Sequence, residues 1–118
     1  MAAPNLLNST QILGKTEIAN LTTILSNVIT NGSTSGNLVK LDSMTISNYS
    51  STTIYANVML RRGSSNAYIA GTTLIPANST LTTVARDTAL LLEEGDYIQS
   101  NVSANVAAHM IINYEVIS

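Results

Sequence analysis

A chain of 118 residues is one domain's worth by length, and this one is 45% hydrophobic but only 10% charged, with a formal net charge of −2. Plentiful Ile, Leu and Val exclude a disordered chain, the absence of Cys excludes a disulfide framework, and five basic residues against seven acidic ones give no electrostatic footprint for nucleic acid. No apolar stretch approaches the roughly 18 residues that a spanning helix needs, so no membrane partner is expected. Ser, Thr and Asn fill 42 of the 118 positions, and with no Phe and no Trp the core has to be aliphatic.

In chain order, Met1-Ala2-Ala3-Pro4-Asn5 lacks the basic and apolar regions of a secretory signal, which predicts synthesis in a cytoplasm. Leu6, Leu7, Ile12 and Leu13 then give residues 1–13 the character of an extended apolar arm with no alternation and no evident partner strand. Gly14-Lys15-Thr16 reads as a turn entering the first strand. Ile18, Leu21, Leu25, Val28 and Ile29 fit a helical stripe about as well as a strand, but Asn20, Thr22, Thr23 and Asn27 lower helix propensity, and the segment is assigned as strand. Asn31 to Gly36 is a loop. Between Asn37 and Asn48 the apolar phase moves from Val39 and Leu41 to Met44 and Ile46, as a β-bulge at Asp42 or Ser43 would produce.

Thr52 to Arg61 alternates with Ile54, Ala56, Val58 and Leu60 on one face, and Arg62-Gly63-Ser64-Ser65-Asn66 is a hairpin connection. Tyr68 to Ile75 is a further strand, closed by Pro76 and the turn Pro76-Ala77-Asn78-Ser79. Leu81, Thr83 and Ala85 mark another. Asp87 to Leu92 suits a short helix capped by Asp87 or a strand, and the strand is preferred. After the turn Glu93-Glu94-Gly95-Asp96, Ile98, Ser100, Val102 and Ala104 are in phase, and Met110, Ile112, Tyr114 and Val116 share one face of the last strand. Short strands punctuated in this way predict a single all-β domain over 14–118, an antiparallel β-sandwich of about seven to nine strands, jelly-roll or Ig-like. Its expected core is Ile54, Val58, Ile98, Val102, Met110, Ile112 and Tyr114.

Chemistry is sparse. A phosphate-binding loop needs a glycine five positions before Gly14, where Ser9 stands, so Gly14-Lys15-Thr16 is not such a loop. His109 is the single histidine and points away from the core. Glu93, Glu94 and Asp96 lack the alternating spacing of a calcium loop and read as a solvated turn. Arg61 and Arg62 could grip an anionic partner surface, or simply form the solvated shoulder of a hairpin. No nucleophile–base pair or ligand set stands out, so the expectation is a protein without enzymatic activity and without cofactor or metal. A Ser/Thr/Asn-rich surface can instead lie against other protein surfaces without desolvating many ions. Leu6, Leu7, Ile12, Leu13, Arg61 and Arg62 are the candidate contact residues.

Several stretches carry a resemblance: Pro4-Asn5-Leu6-Leu7 with Gly14-Lys15-Thr16, the Gly36 to Ser47 run with Leu38, Val39, Lys40 and Leu41, Ile75-Pro76-Ala77-Asn78-Ser79-Thr80, Leu91-Leu92-Glu93-Glu94-Gly95-Asp96, and Tyr114-Glu115-Val116-Ile117-Ser118. Through them the chain resembles small virion structural proteins of tailed phages, common in phages of marine cyanobacteria. The resemblance implies an all-β sandwich present in many copies on the particle, as a capsid decoration (cement) protein or as a neck, collar, tail or fibre component. It implies no catalytic residues. The implied partners are other copies of the chain, in a homo-oligomer, and the major capsid protein or other virion proteins; the implied location is the virion, after synthesis in a bacterial host cytoplasm. A carbohydrate-binding, adhesive β-module is the alternative from another class.

Overall fold

The computed structural model describes residues 11–85 and 89–118. Their strands are β1 (Ile12–Leu21), β2 (Ser26–Thr30), β3 (Leu38–Asn48), β4 (Ile54–Arg62), β5 (Ser65–Ile75), β6 (Thr80–Val84), β7 (Leu90–Leu92), β8 (Tyr97–Val102) and β9 (Ala108–Ile117). They form two antiparallel sheets, ordered β1-β9-β3-β6 with β7 also on β3, and β2-β8-β4-β5. The pairing is nested: β1 with β9, β2 with β8, β3 with β6 and β7, β4 with β5. A long hairpin rolled on itself pairs its strands in this way, so the sandwich is a jelly roll. The Ig-like alternative, in which the first two strands share a sheet, does not apply, because β1 and β2 lie in different sheets.

The core lies between the inward faces and is aliphatic. Ile54, Val58, Ile98, Val102, Met110 and Ile112 are all buried, and Tyr114 packs against them half-buried. The bulge expected at Asp42 or Ser43 is present: β3 slips against β9 between Leu41 and Ser43, leaving Asp42 as the extra residue. That slip keeps Val39 and Leu41, and after it Met44 and Ile46, on the buried side.

The turns follow their residues. Arg62 pairs with Ser65, and Gly63, at φ 56°, occupies the first central position that a II′ hairpin turn reserves for glycine. Asn78 at φ 57° and Gly95 at φ 87° each take the third position of a turn closed by Ser79 N–H to Pro76 O (3.2 Å) and by Asp96 N–H to Glu93 O (3.0 Å).

Three expectations change. The strand assigned from Ile18 to Ile29 is two strands in different sheets: Ile24 N–H bonds to Thr22 Oγ1 (3.2 Å), and this local turn breaks the run so that the chain can cross the sandwich. Gly14-Lys15-Thr16 is not a turn but the middle of β1, opposite Glu115, Tyr114 and Asn113. Ile12 and Leu13 do have a partner strand, since they open β1 opposite Ile117 and Val116. Residues 1–10 of the expected arm, with Leu6 and Leu7, lie outside the described residues, as does Asp87; the strand expected up to Leu92 is found as β7.

Candidate functional site

The inward phase of several strands runs on past the apolar residues into a polar one. In β4, Leu60 is followed by Arg62. In β8, Ile98 is preceded by Asp96. In β3, Ile46 is followed by Asn48, and in β2, Ile29 is followed by Asn31. These residues close the two open ends of the sandwich.

At one end Asp96 is fully buried, and Arg62 grips its carboxylate through two of its nitrogens. Nε donates to Oδ1 and Oδ2 at 3.1 and 3.0 Å, and Nη2 donates to Oδ2 at 2.6 Å. Glu93 N–H adds a bond to Oδ2 at 2.8 Å, and the Glu93 carboxylate approaches Arg62 Nη2 at 3.2 Å. The hydrogen bonds to Asp96 hold the Arg62 guanidinium above its ordinary pKa against a smaller opposing effect of burial. Beside it Asn31 donates to Asn37 O and Leu92 O, both at 2.9 Å, and accepts from Ser35 Oγ at 2.6 Å. The β2–β3 loop, the β7–β8 turn and the end of β4 are thereby tied together.

This revises two readings. The Glu93–Asp96 turn is not solvated throughout, because its last carboxylate is inside. Arg61 and Arg62 do not act as a pair, because period-two geometry sends them to opposite faces. Arg62 is spent on Asp96, whereas Arg61 lies on the outer side and donates from Nε to Gln99 Oε1 at 2.8 Å. Ile12 and Leu13 stay exposed on β1, while Arg61 and Arg62 are both half-buried.

The outer face of the β1-β9-β3-β6 sheet is the larger surface feature. Three adjacent rungs read Asn20, His109, Ser47, Thr80; then Ile18, Ile111, Thr45, Thr82; then Thr16, Asn113, Ser43. None of these positions carries Asp, Glu, Lys or Arg. Five of their nine polar side chains bond one another: Thr16 Oγ1 donates to Asn113 Oδ1 and Asn113 Nδ2 to Ser43 Oγ, both at 2.8 Å, and Ser47 Oγ meets Thr80 Oγ1 at 3.3 Å. Ile18 and Ile111 stand side by side and exposed at the centre. Among the described residues charge returns at the end of the face, where Lys40 lies opposite Glu115 and pairs with Asp42 at 3.6 Å.

His109 is exposed on this face, and its ring packs on Tyr49 with centroids 4.4 Å apart. A shallow depression beside them is bordered by Asn105 and by Val106, which sits at φ 55° and is 80% exposed. Among the described residues no group of three His, Asp or Glu side chains is gathered as a metal site, and no helix is long and apolar enough to cross a membrane.

The buried carboxylate was within reach of sequence reasoning. Asp96 has the parity of Ile98, Ser100 and Val102, and Arg62 that of Ile54 through Leu60, so both belong to the inward phase. No family model matches the chain, and no curated protein matches it.

Proposed function

We propose that the chain is a non-enzymatic structural protein of a tailed-phage virion, a capsid decoration protein that binds and stabilises the head shell. The observation that carries this reading is the charge-free outer face with Ile18 and Ile111 at its centre. A sheet face with no Asp, Glu, Lys or Arg, on which five polar side chains already bond one another, can be covered by another protein surface without desolvating an ion pair, and its two isoleucines gain from being covered. The jelly roll hosts many functions and does not by itself choose among them. The partners in this reading are the major capsid protein, or another virion protein, and further copies of the chain. Neck, tail and fibre placements share the same chemistry and differ in copy number.

The test is attachment to particles stripped of the protein. The intact chain should co-sediment with them in hundreds of copies, and Ile18→Asp with Ile111→Asp should abolish attachment while the far-ultraviolet circular dichroism stays that of a β-protein. Attachment of the double variant at the unmodified level rejects this face as the contact, and a few dozen copies or fewer per particle moves the protein to the neck or fibre. A glycan-binding module is the second reading, favoured by the exposed Tyr49 ring tilted against His109 beside the depression. Saturable binding to a glycan array, lost in Tyr49→Ala, would favour it.

A further inference from the structure

The two long outer strands of the sandwich differ. β5 closes one sheet but is twice out of step with β4, between Ala56 and Val58 and again between Val58 and Met59. Within it Thr72, a β-branched residue, is held at φ 46° by Asn57, whose Oδ1 accepts from Thr72 N–H at 2.8 Å. Bulges of this kind twist an edge away from pairing. β1 closes the other sheet and pairs with β9 without a single slip, from Ile12 opposite Ile117 to Leu21 opposite Ala108. Its far edge has no strand against it among the described residues. It is a straight ten-residue template.

Two inward-phase side chains on β1, Lys15 and Glu17, are exposed, and neither makes a salt bridge among the described residues. A lone inward charge on an edge strand repels a pairing strand. A Lys and a Glu two residues apart behave differently when the partner is the same strand reversed. In an antiparallel pair centred on Thr16, each Lys15 lies directly opposite the other copy's Glu17, twice by symmetry. Sliding the register by two residues, which moves the centre to Lys15 or to Glu17, sets like charges face to face. A slide of the register by one residue would exchange the faces of the sheet.

We propose that β1 pairs antiparallel with β1 of a second copy about a two-fold axis at Thr16, joining the two β1-β9-β3-β6 sheets into one, with Lys15 and Glu17 selecting the register. The occupant is a second copy rather than an unrelated strand, because the charge pattern is complementary to its own reverse. The inference rests on the self-association in the reading above and names the surface for it.

Sedimentation equilibrium without particles tests it. The unmodified chain should form dimers. Lys15→Glu and Glu17→Lys, each alone, should weaken the dimer by about tenfold or more, since two attractive cross-strand pairs become repulsive together. An equimolar mixture of the two variants should associate at least as well as the unmodified chain, because one strand is then acidic and the other basic, and the double variant carrying both changes should dimerise again. If both single variants dimerise like the unmodified chain, or their mixture gains nothing, the β1 pairing is wrong although self-association survives. A chain that stays monomeric up to about 1 mM rejects the pairing and the self-association alike, while attachment to particles remains a separate measurement.

Discussion

The two ends of the sandwich solve one problem with different chemistry. Where the sheets part, backbone carbonyls and amides of the connecting loops would be left facing the core, and a polar side chain has to meet them. At the end where β3 begins, the plug is ionic: buried Asp96, gripped by Arg62, with Asn31 beside it. Where β3 finishes, the plug is neutral. Asn48 is 2% exposed, donates to Thr52 O, Ile75 O and Pro76 O at 2.8, 3.0 and 3.1 Å, and accepts from Ser50 N–H and Oγ at 3.0 and 2.6 Å. The amide brings no ion to desolvate and satisfies several groups at once. The ion pair carries the cost of burying a carboxylate and offsets it only while Arg62 stays in place. The neutral end should therefore lose more stability when its plug is removed, and the ionic end should be the one whose loss can be repaired.

Asn48→Ala is the strongest way to break this comparison. It strips the donor from three carbonyls and should cost about 3–5 kcal/mol in urea unfolding; a loss under about 1 kcal/mol would mean that water replaces the amide. Arg62→Ala should cost about 2–4 kcal/mol, less than the ~3–5 kcal/mol of a fully enclosed pair, because 40% of the Arg62 side chain reaches solvent. Adding Asp96→Asn to Arg62→Ala should recover about 1 kcal/mol or more, since the orphaned charge is gone; a strictly additive double variant would show that Asp96 never depended on Arg62.

The smallest effect lies between the ends. Burial, with the Glu17 carboxylate adding to it, raises the Tyr114 pKa above its ordinary 10.0. The unfolded chain then releases this proton first, so the contribution of Tyr114 is complete below pH 10 and declines as pH rises through the ordinary value toward the raised one. Tyr114→Phe should remove that part of the alkaline decline and leave stability at neutral pH changed by less than about 1 kcal/mol. An unchanged alkaline limb would assign it to other groups.

Much of this architecture is legible from alternation alone. Ile54 to Leu60, Ile98 to Val102 and Met110 to Tyr114 reveal their strands because one side of each lies on an aliphatic core, and the phase change between Leu41 and Met44 locates the bulge. What stays hidden has physical reasons. Ile12, Leu13 and Ile18 are all exposed, so β1 shows no alternation for most of its length; its identity as a strand comes from β9, which is almost a hundred residues away in the chain. The crossing at Thr22 to Leu25 is set by a local side-chain bond, and periodicity does not register it. The Arg62–Asp96 pair is concealed by the custom of assigning charged residues to turns. Carrying the inward phase one step past Leu60 and one step before Ile98 brings the two together. The flat outer face leaves no mark in any single strand, because it is built from rungs that run across four of them.

The kink at Thr72 has a consequence for growth. A tile with two straight edges can add neighbours on both sides and has no natural end, which is the arithmetic of a fibre. With β5 bent out of true, the β2-β8-β4-β5 sheet has no long regular edge, and a two-fold pairing at β1 would take up the long regular edge of the other sheet. What would remain are the short margins β2, β6 and β7, of five, five and three residues, which make poor templates for growth. Thr72 and Asn57 thus withhold one of the two long templates on which a fibre could be built.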